Sequence, residues 1–206
     1  MAKENTREIA LSAILEIMEN GAYGHLLMKQ VLDKYAYLTR QERSFLNRLV
    51  DGTVERIIEL DYVIDCYAST KVKKMKPLIR NLLRMSVYQI LYMDSVPDSA
   101  ACNEAVKIAA SHGFHGLKGF VNGVLRTVAK NKENRSHPSL SVAYSMPEWI
   151  TEYLTDHYGK EPAKEMLGSF RMPRPRTLRL DESLTEEQKQ TNLPEREAVR
   201  DGGPPR

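Results

Sequence analysis

The chain has 206 residues, 42% of them hydrophobic and 28% charged, with a formal net charge of +3. That is enough for one ordinary domain with an appendage and a sizeable core, and the composition predicts a soluble globular protein. No stretch approaches the roughly 20 continuous apolar residues needed to cross a bilayer, and "MAKENTREIALSAIL" has acidic residues and no small-residue cleavage site, so neither a membrane span nor a signal peptide is expected.

The pattern is helical almost throughout. Ile9, Ala10, Ala13, Ile14, Ile17 and Met18 mark a first amphipathic helix, opened by an Asn5…Glu8 capping-box spacing and closed at Asn20-Gly21. A short helix is expected near 24–35. "TRQE" opens a third, with Thr39 as cap and Glu42 reaching back, and its stripe runs from Phe45 to Ile58. A break near Leu60-Asp61 and a helix to about Ala68 follow. Pro77 suits the first turn of "PLIRNLLRMSVYQILYM", apolar around most of its circumference and so placed at the centre of a bundle. Asp98 or Ser99 caps a helix that Gly113 stops. Leu117, Phe120, Val121, Val124, Leu125 and Val128 carry the last helix of this unit to about Asn131. Short connections and no period-two run predict an all-α bundle.

"KNKENRSHPS" is a polar linker. Beyond it, Ser145 as cap, Pro147 in the first turn and Glu148 predict a helix carrying Trp149, Ile150, Tyr153 and Leu154. Gly159 ends that helix and Pro162 starts another. "RMPRPRTLRL" is broken by proline, basic, and compatible with an extended strand. Residues 181–206 have almost no apolar content and are expected to be disordered.

Charge is unevenly distributed. Residues 181–206 hold seven acids and four bases, which leaves +6 for residues 1–180. No acid lies between Asp65 and Asp94, where Lys71, Lys73, Lys74, Lys76, Arg80 and Arg84 occur, nor between Glu104 and Glu133, which enclose Lys107, Lys118, Arg126, Lys130 and Lys132. The lysine run reads either as a solvated interhelical loop or as a patch for a polyanion, and Arg80 and Arg84, four apart, would extend it onto a helix. Tyr23, His25 and Tyr35 could stack on unpaired bases or simply pack.

Catalytic chemistry is sparse. His112 and His115 lack the further ligands a metal site recruits, so no metal is expected. Glycines 113, 116, 119 and 123 follow no strand and form no phosphate loop. Gly119 and Gly123, on one helix face, instead predict close packing against the small-residue stripe Ala101, Ala105 and Ala109. Cys66 and Cys102, both in apparent helices, are expected to be reduced, buried thiols of a cytoplasmic protein.

"RQERSFLNRLVDGTVERIIELDYVID", "KPLIRNLLRMSVYQILYMDSVPDSAACNEAVKIA" and "GLKGFVNGVLR" resemble, in order and spacing, the NusB-like RNA-binding helical domain. The match is nearest to the copy at the N-terminus of the ribosomal RNA cytosine-5 methyltransferases of the RsmB (Sun) family. The stretch from Tyr144 to Arg179 looks like the connector of that family. The resemblance implies a NusB-like RNA-binding domain over 1–134, a helical connector over 135–180 and a tail over 181–206. It also implies ribosomal RNA as partner, met through Lys71, Lys73, Lys74, Lys76, Arg80 and Arg84 with Lys118 and Arg126 as additions. The family's glycine-rich S-adenosylmethionine motif and Pro-Cys nucleophile are not in this sequence, where Cys66 follows Asp65 and Cys102 follows Ala101. The chain therefore looks truncated before the catalytic part. No catalytic residue is expected, and S-adenosylmethionine belongs only to the full-length family. The alternative is an antitermination-type adaptor that binds RNA together with a ribosomal protein.

Overall fold

The computed structural model describes residues 5–172, and every regular element among them is helical. Helix α1 (Thr6–Asn20) begins where the Asn5 side chain accepts a hydrogen bond from the Arg7 backbone N–H. It ends at Gly21, whose φ of 72° favours glycine. Glu8 does not complete the expected capping box; it accepts from Ser111 Oγ at 3.2 Å. After α2 (Gly24–Lys34), α3 (Arg40–Glu55) opens with the full Thr39/Glu42 capping box. The next break comes at Arg56, earlier than expected, and α4 (Ile57–Tyr67) continues straight through Leu60 and Asp61. Leu60, Val63 and Ile64 stay in phase with the core, so a break among them would have turned apolar side chains to water.

Helix α5 (Pro77–Tyr92) occupies the centre, with every residue from Asn81 to Ile90 buried. It packs on α1, α3 and α4 and on α6 (Asp98–Ser111) and α7 (Lys118–Lys130). Its polar residues are satisfied internally, as burial demands. Ser86 Oγ donates to the Leu82 carbonyl at 2.8 Å, and Gln89 donates to the Met85 carbonyl while accepting from Arg7 Nε at 2.7 Å. Tyr88 lies over Gly52 of α3 so closely that a Cβ there would overlap the phenol ring.

Helices α6 and α7 pack together, with Ala101, Ala105 and Ala109 buried on one and Val121, Val124, Leu125 and Val128 on the other. The glycines play no part in this seam, contrary to expectation. Gly119 and Gly123 are exposed, and a Cβ on either would meet nothing within 4 Å. Four-residue spacing put them on one face, but the valines and Leu125 already supply the face turned inward.

Beyond the bundle lie α8 (Leu140–Tyr144), which was not anticipated, then α9 (Glu148–Tyr158) and α10 (Lys160–Phe170). Residues up to Phe170 form one compact unit, and α8 packs on α4. Ser145 is a cap, but of another helix. Its Oγ accepts from the Ile58 N–H at 3.0 Å and the Glu59 N–H at 3.5 Å, the orphan donors at the start of α4. Its own φ is 49°, the left-handed end of α8, while Pro147 takes the position before α9. Pro162 lies inside the first turn of α10, as expected, and Gly159 closes α9. The expected strand in "RMPRPRTLRL" and the expected disorder of 181–206 fall outside the described residues, apart from Arg171 and Met172.

Candidate nucleic-acid interface

The lysine run is a fixed turn. Asp65 Oδ1 accepts the Val72 N–H at 2.7 Å, a 3-10 turn spans Val72–Lys74, and Val72 and Met75 are buried at 1% and 7% exposure. Two apolar anchors and one carboxylate hold the backbone, and Pro77 begins α5 directly afterwards. Lys71, Lys73, Lys74 and Lys76 therefore project outward from a defined frame, all four exposed. Lys71 Nζ reaches the Asp65 carbonyl at 3.2 Å. Lys73, Lys74 and Lys76 form no ion pair or side-chain hydrogen bond among the described residues. Three unpaired ammonium groups on one turn form a surface that attracts anions.

Arg80 and Arg84 are placed otherwise. Arg80 Nε donates to Glu19 Oε1 at 2.9 Å and a second N–H donates to Glu19 Oε2. Arg80, Asn81 and Arg84 together hold the Glu19 carboxyl below the usual carboxylate range, the Arg80 hydrogen bond contributing most. Arg84 is 8% exposed. It grips Asp61 in fork geometry at 2.6 and 2.7 Å and donates to Asn81 Oδ1 at 2.9 Å. Both guanidinium groups join α5 to its neighbours, α1 through Glu19 and α4 through Asp61.

Lys118 and Arg126 stand on α7, a different element, and both are exposed. Arg126 Nε donates to Asn122 Oδ1 at 3.0 Å, so the amide oxygen of half-buried Asn122 is satisfied within its own helix. Tyr23 is 74% exposed beside His25, and Tyr35 packs on the core edge against Tyr37. A cavity of about 560 Å³ between α1, α2 and α3 carries both signs of charge: His25, Lys29 and Arg43 against Asp33, Asp51 and Glu55. Burial, and then the neighbouring Glu55, raise the Asp51 carboxyl above its ordinary value.

The two cysteines differ in their surroundings. Cys66 is exposed, not buried as expected, because it falls on the outer side of α4; Cys102 is buried, and burial pushes its thiol up, away from the reactive thiolate.

One cluster had no sequence signal. Glu59, 1% exposed, accepts from Arg56 at 3.0 Å, from the Tyr92 hydroxyl, and meets His137 Nε2 at 3.1 Å. Arg56 and Arg135 lie over the Tyr92 ring at 3.9 and 5.4 Å. Burial alone would raise the Glu59 carboxyl, but hydrogen bonds from Tyr92, His137 and Arg56 outweigh it and hold the carboxyl below its usual range. The cluster clasps the 131–145 segment onto α4 and α5.

The sequence profile of the NusB family matches residues 4–130. "Probable ribosomal RNA small subunit methyltransferase B" of Bacillus subtilis is 38% identical over 88% of this chain and 42% of its own length. "Transcription antitermination protein NusB" of Finegoldia magna is 31% identical over 66% of this chain and 99% of its own. Among solved structures, the antitermination factors NusB and NusE in complex with dsRNA include a chain that superposes with a TM-score of 0.55 at 22% identity, over 61% of this chain and 93% of that one. This chain spans about two-fifths of the length of the methyltransferase relatives it matches. No helix among the described residues is long and apolar enough to cross a membrane. With its profile covering the whole α1–α7 bundle, the chain belongs to the NusB family.

Proposed function

We propose that this chain binds RNA through the 71–76 turn, that the RNA is ribosomal, and that the bundle serves a ribosomal RNA cytosine-5 methyltransferase whose catalytic groups lie outside the described residues. The observation that carries the reading is the anchored turn itself: Val72, Met75 and Asp65 fix the backbone while Lys73, Lys74 and Lys76 form no ion pair among the described residues. Ammonium groups spaced along a rigid frame suit successive phosphates, because the ordering cost is met by folding rather than by binding. Lys118 and Arg126 add phosphate contacts from α7, while Arg80 and Arg84 brace the helix behind the turn. Similarity to methyltransferase B supports ribosomal RNA as the target, and the solved NusB with NusE and dsRNA supports RNA as the ligand class.

Affinity for ribosomal RNA should fall steeply with salt, the logarithm dropping by roughly 0.7–0.9 per phosphate contacted for each tenfold rise. Lys73→Glu/Lys74→Glu should weaken binding by more than about tenfold at low salt and flatten that slope by about two contacts. Unchanged binding in that double variant, or none by the parent chain at low salt, sinks the reading. A second reading, an adaptor that also holds a ribosomal protein, is favoured by the NusE in the solved NusB complex. A stoichiometric protein partner that survives nuclease treatment would select it.

A further inference from the structure

Helix α9 uses one side for packing. Thr151 is buried and Ile150 and Leu154 are half-buried, where α9 meets α8 and α10. On the other side Trp149, Tyr153 and His157 follow four apart and so share one stripe. Trp149 is 69% and Tyr153 53% exposed, and the exposed His157 ring stacks on Tyr153 at 4.1 Å. Beside it runs a second stripe, Glu148, Glu152 and Asp156, all exposed and without an ion-pair partner among the described residues. These carboxylates border a cleft of about 230 Å³ shared with Ser139, Ser141 and Thr155.

Single exposed aromatics are ordinary, but a stripe of rings over two helical turns is a binding surface in search of cover. The carboxylates decide its kind. They repel a polyanion, so the rings are not a platform for RNA bases, and they attract an apolar surface edged with lysine or arginine, one of whose side chains the cleft would seat. The extent of the similarities locates that surface. The NusB profile ends at residue 130, and a free NusB is used up in matching two-thirds of this chain. The Bacillus subtilis methyltransferase matches far enough to include α8–α10, and more than half of it lies outside the match.

We propose that the Trp149–Tyr153–His157 face is the docking seat for the part of the polypeptide that the methyltransferase relatives carry outside the matched region, met as an apolar patch with a basic rim. The proposal does not depend on the RNA reading of the lysine turn.

Hydroxyl-radical footprinting of the full 206-residue chain tests it, with Trp149 as the sole tryptophan of this chain. The unmatched part of the Bacillus subtilis relative is supplied once as a separate chain and once fused behind residue 206, so that weak affinity cannot hide docking. Labelling of Trp149 and Tyr153 should fall severalfold. In the two-chain format Tyr153→Ala, and separately Glu148→Lys/Glu152→Lys, should weaken association about tenfold while circular dichroism stays unchanged. Three outcomes overturn the proposal: labelling in the fused chain as fast as in the chain alone; protection by ribosomal RNA without the added part, which makes the face an RNA surface; and protection that rises with the chain's own concentration, which makes it a self-association face.

Discussion

The four lysines of the 71–76 turn and the two arginines that follow on α5 carry the same charge and meet opposite surroundings. The turn is held by its apolar and backbone groups, so its charges are spared for the outside. On α5 the arrangement is reversed: Arg84 is buried and Arg80 partly so, and each takes a carboxylate from another helix. Cations therefore serve as internal fasteners where α5 passes through the core and as a display where the chain turns back at the surface. Arginine suits the first role, because its planar fork satisfies a carboxylate with two parallel bonds, and lysine the second.

Arg84→Ala breaks this division most severely. It strands Asp61 and Asn81 beside the core, and the expected loss is about 3 kcal/mol of unfolding free energy in urea titration. Ribosomal RNA affinity of the folded fraction should stay within about twofold, since the group is not at the surface. Asp61→Ala in the same chain should recover part of the loss, as a coupled pair requires. A stable Arg84→Ala chain that has lost RNA binding would erase the distinction between fastener and display.

Glu59 extends the comparison to a carboxylate used as a fastener, and its pH dependence has a definite sign. Its folded-state carboxyl lies below the ordinary 4.5. The stability it contributes is therefore fully present above that value and is lost as pH falls through the lower folded one. Glu59→Gln should cost about 1–2 kcal/mol at neutral pH. The difference between parent and variant, followed by denaturant unfolding at decreasing pH, should shrink in the acid range. A difference that stays constant down to the acid limit would show that the clasp does not depend on the charge.

The helices were legible because periodicity and caps are local: Thr39/Glu42, Pro77, Gly21 and Gly159 all behave as their types dictate. The fate of each charge was not local. The run from Asp65 to Asp94 holds no acid in sequence, yet the fold delivers Glu19 from α1 and Asp61 from α4 to its arginines. The same applies to Ser145, a cap by type whose helix lies 87 positions earlier in the chain. Glu59 carries no signal in the sequence, since nothing nearby announces Tyr92, Arg135 or His137. Chain direction hides partners that topology supplies.

The two exposed glycines of α7 carry the smallest predicted effect, and set beside Gly52 they show the clearest reversal of sign. In the sequence nothing marks Gly52 of the third helix, while the spacing of Gly119 and Gly123 predicts a packing seam. In space Gly52 is the buried one, under Tyr88, and the other two face open solvent. Gly52→Ala should destabilise by about 2 kcal/mol, since Tyr88 sits in a filled core and must move. Gly119→Ala and Gly123→Ala should instead stabilise α7 by roughly 0.5–1 kcal/mol each, because helical backbone freedom is removed and nothing is displaced. Thermal unfolding of the three single variants reads both signs in one experiment. A destabilised Gly119→Ala or Gly123→Ala chain would mean that α7 meets a neighbour at those positions. A stabilised one shows instead that α7 tolerates glycine there at a measurable energetic cost, with its valines and Leu125 turned to the core.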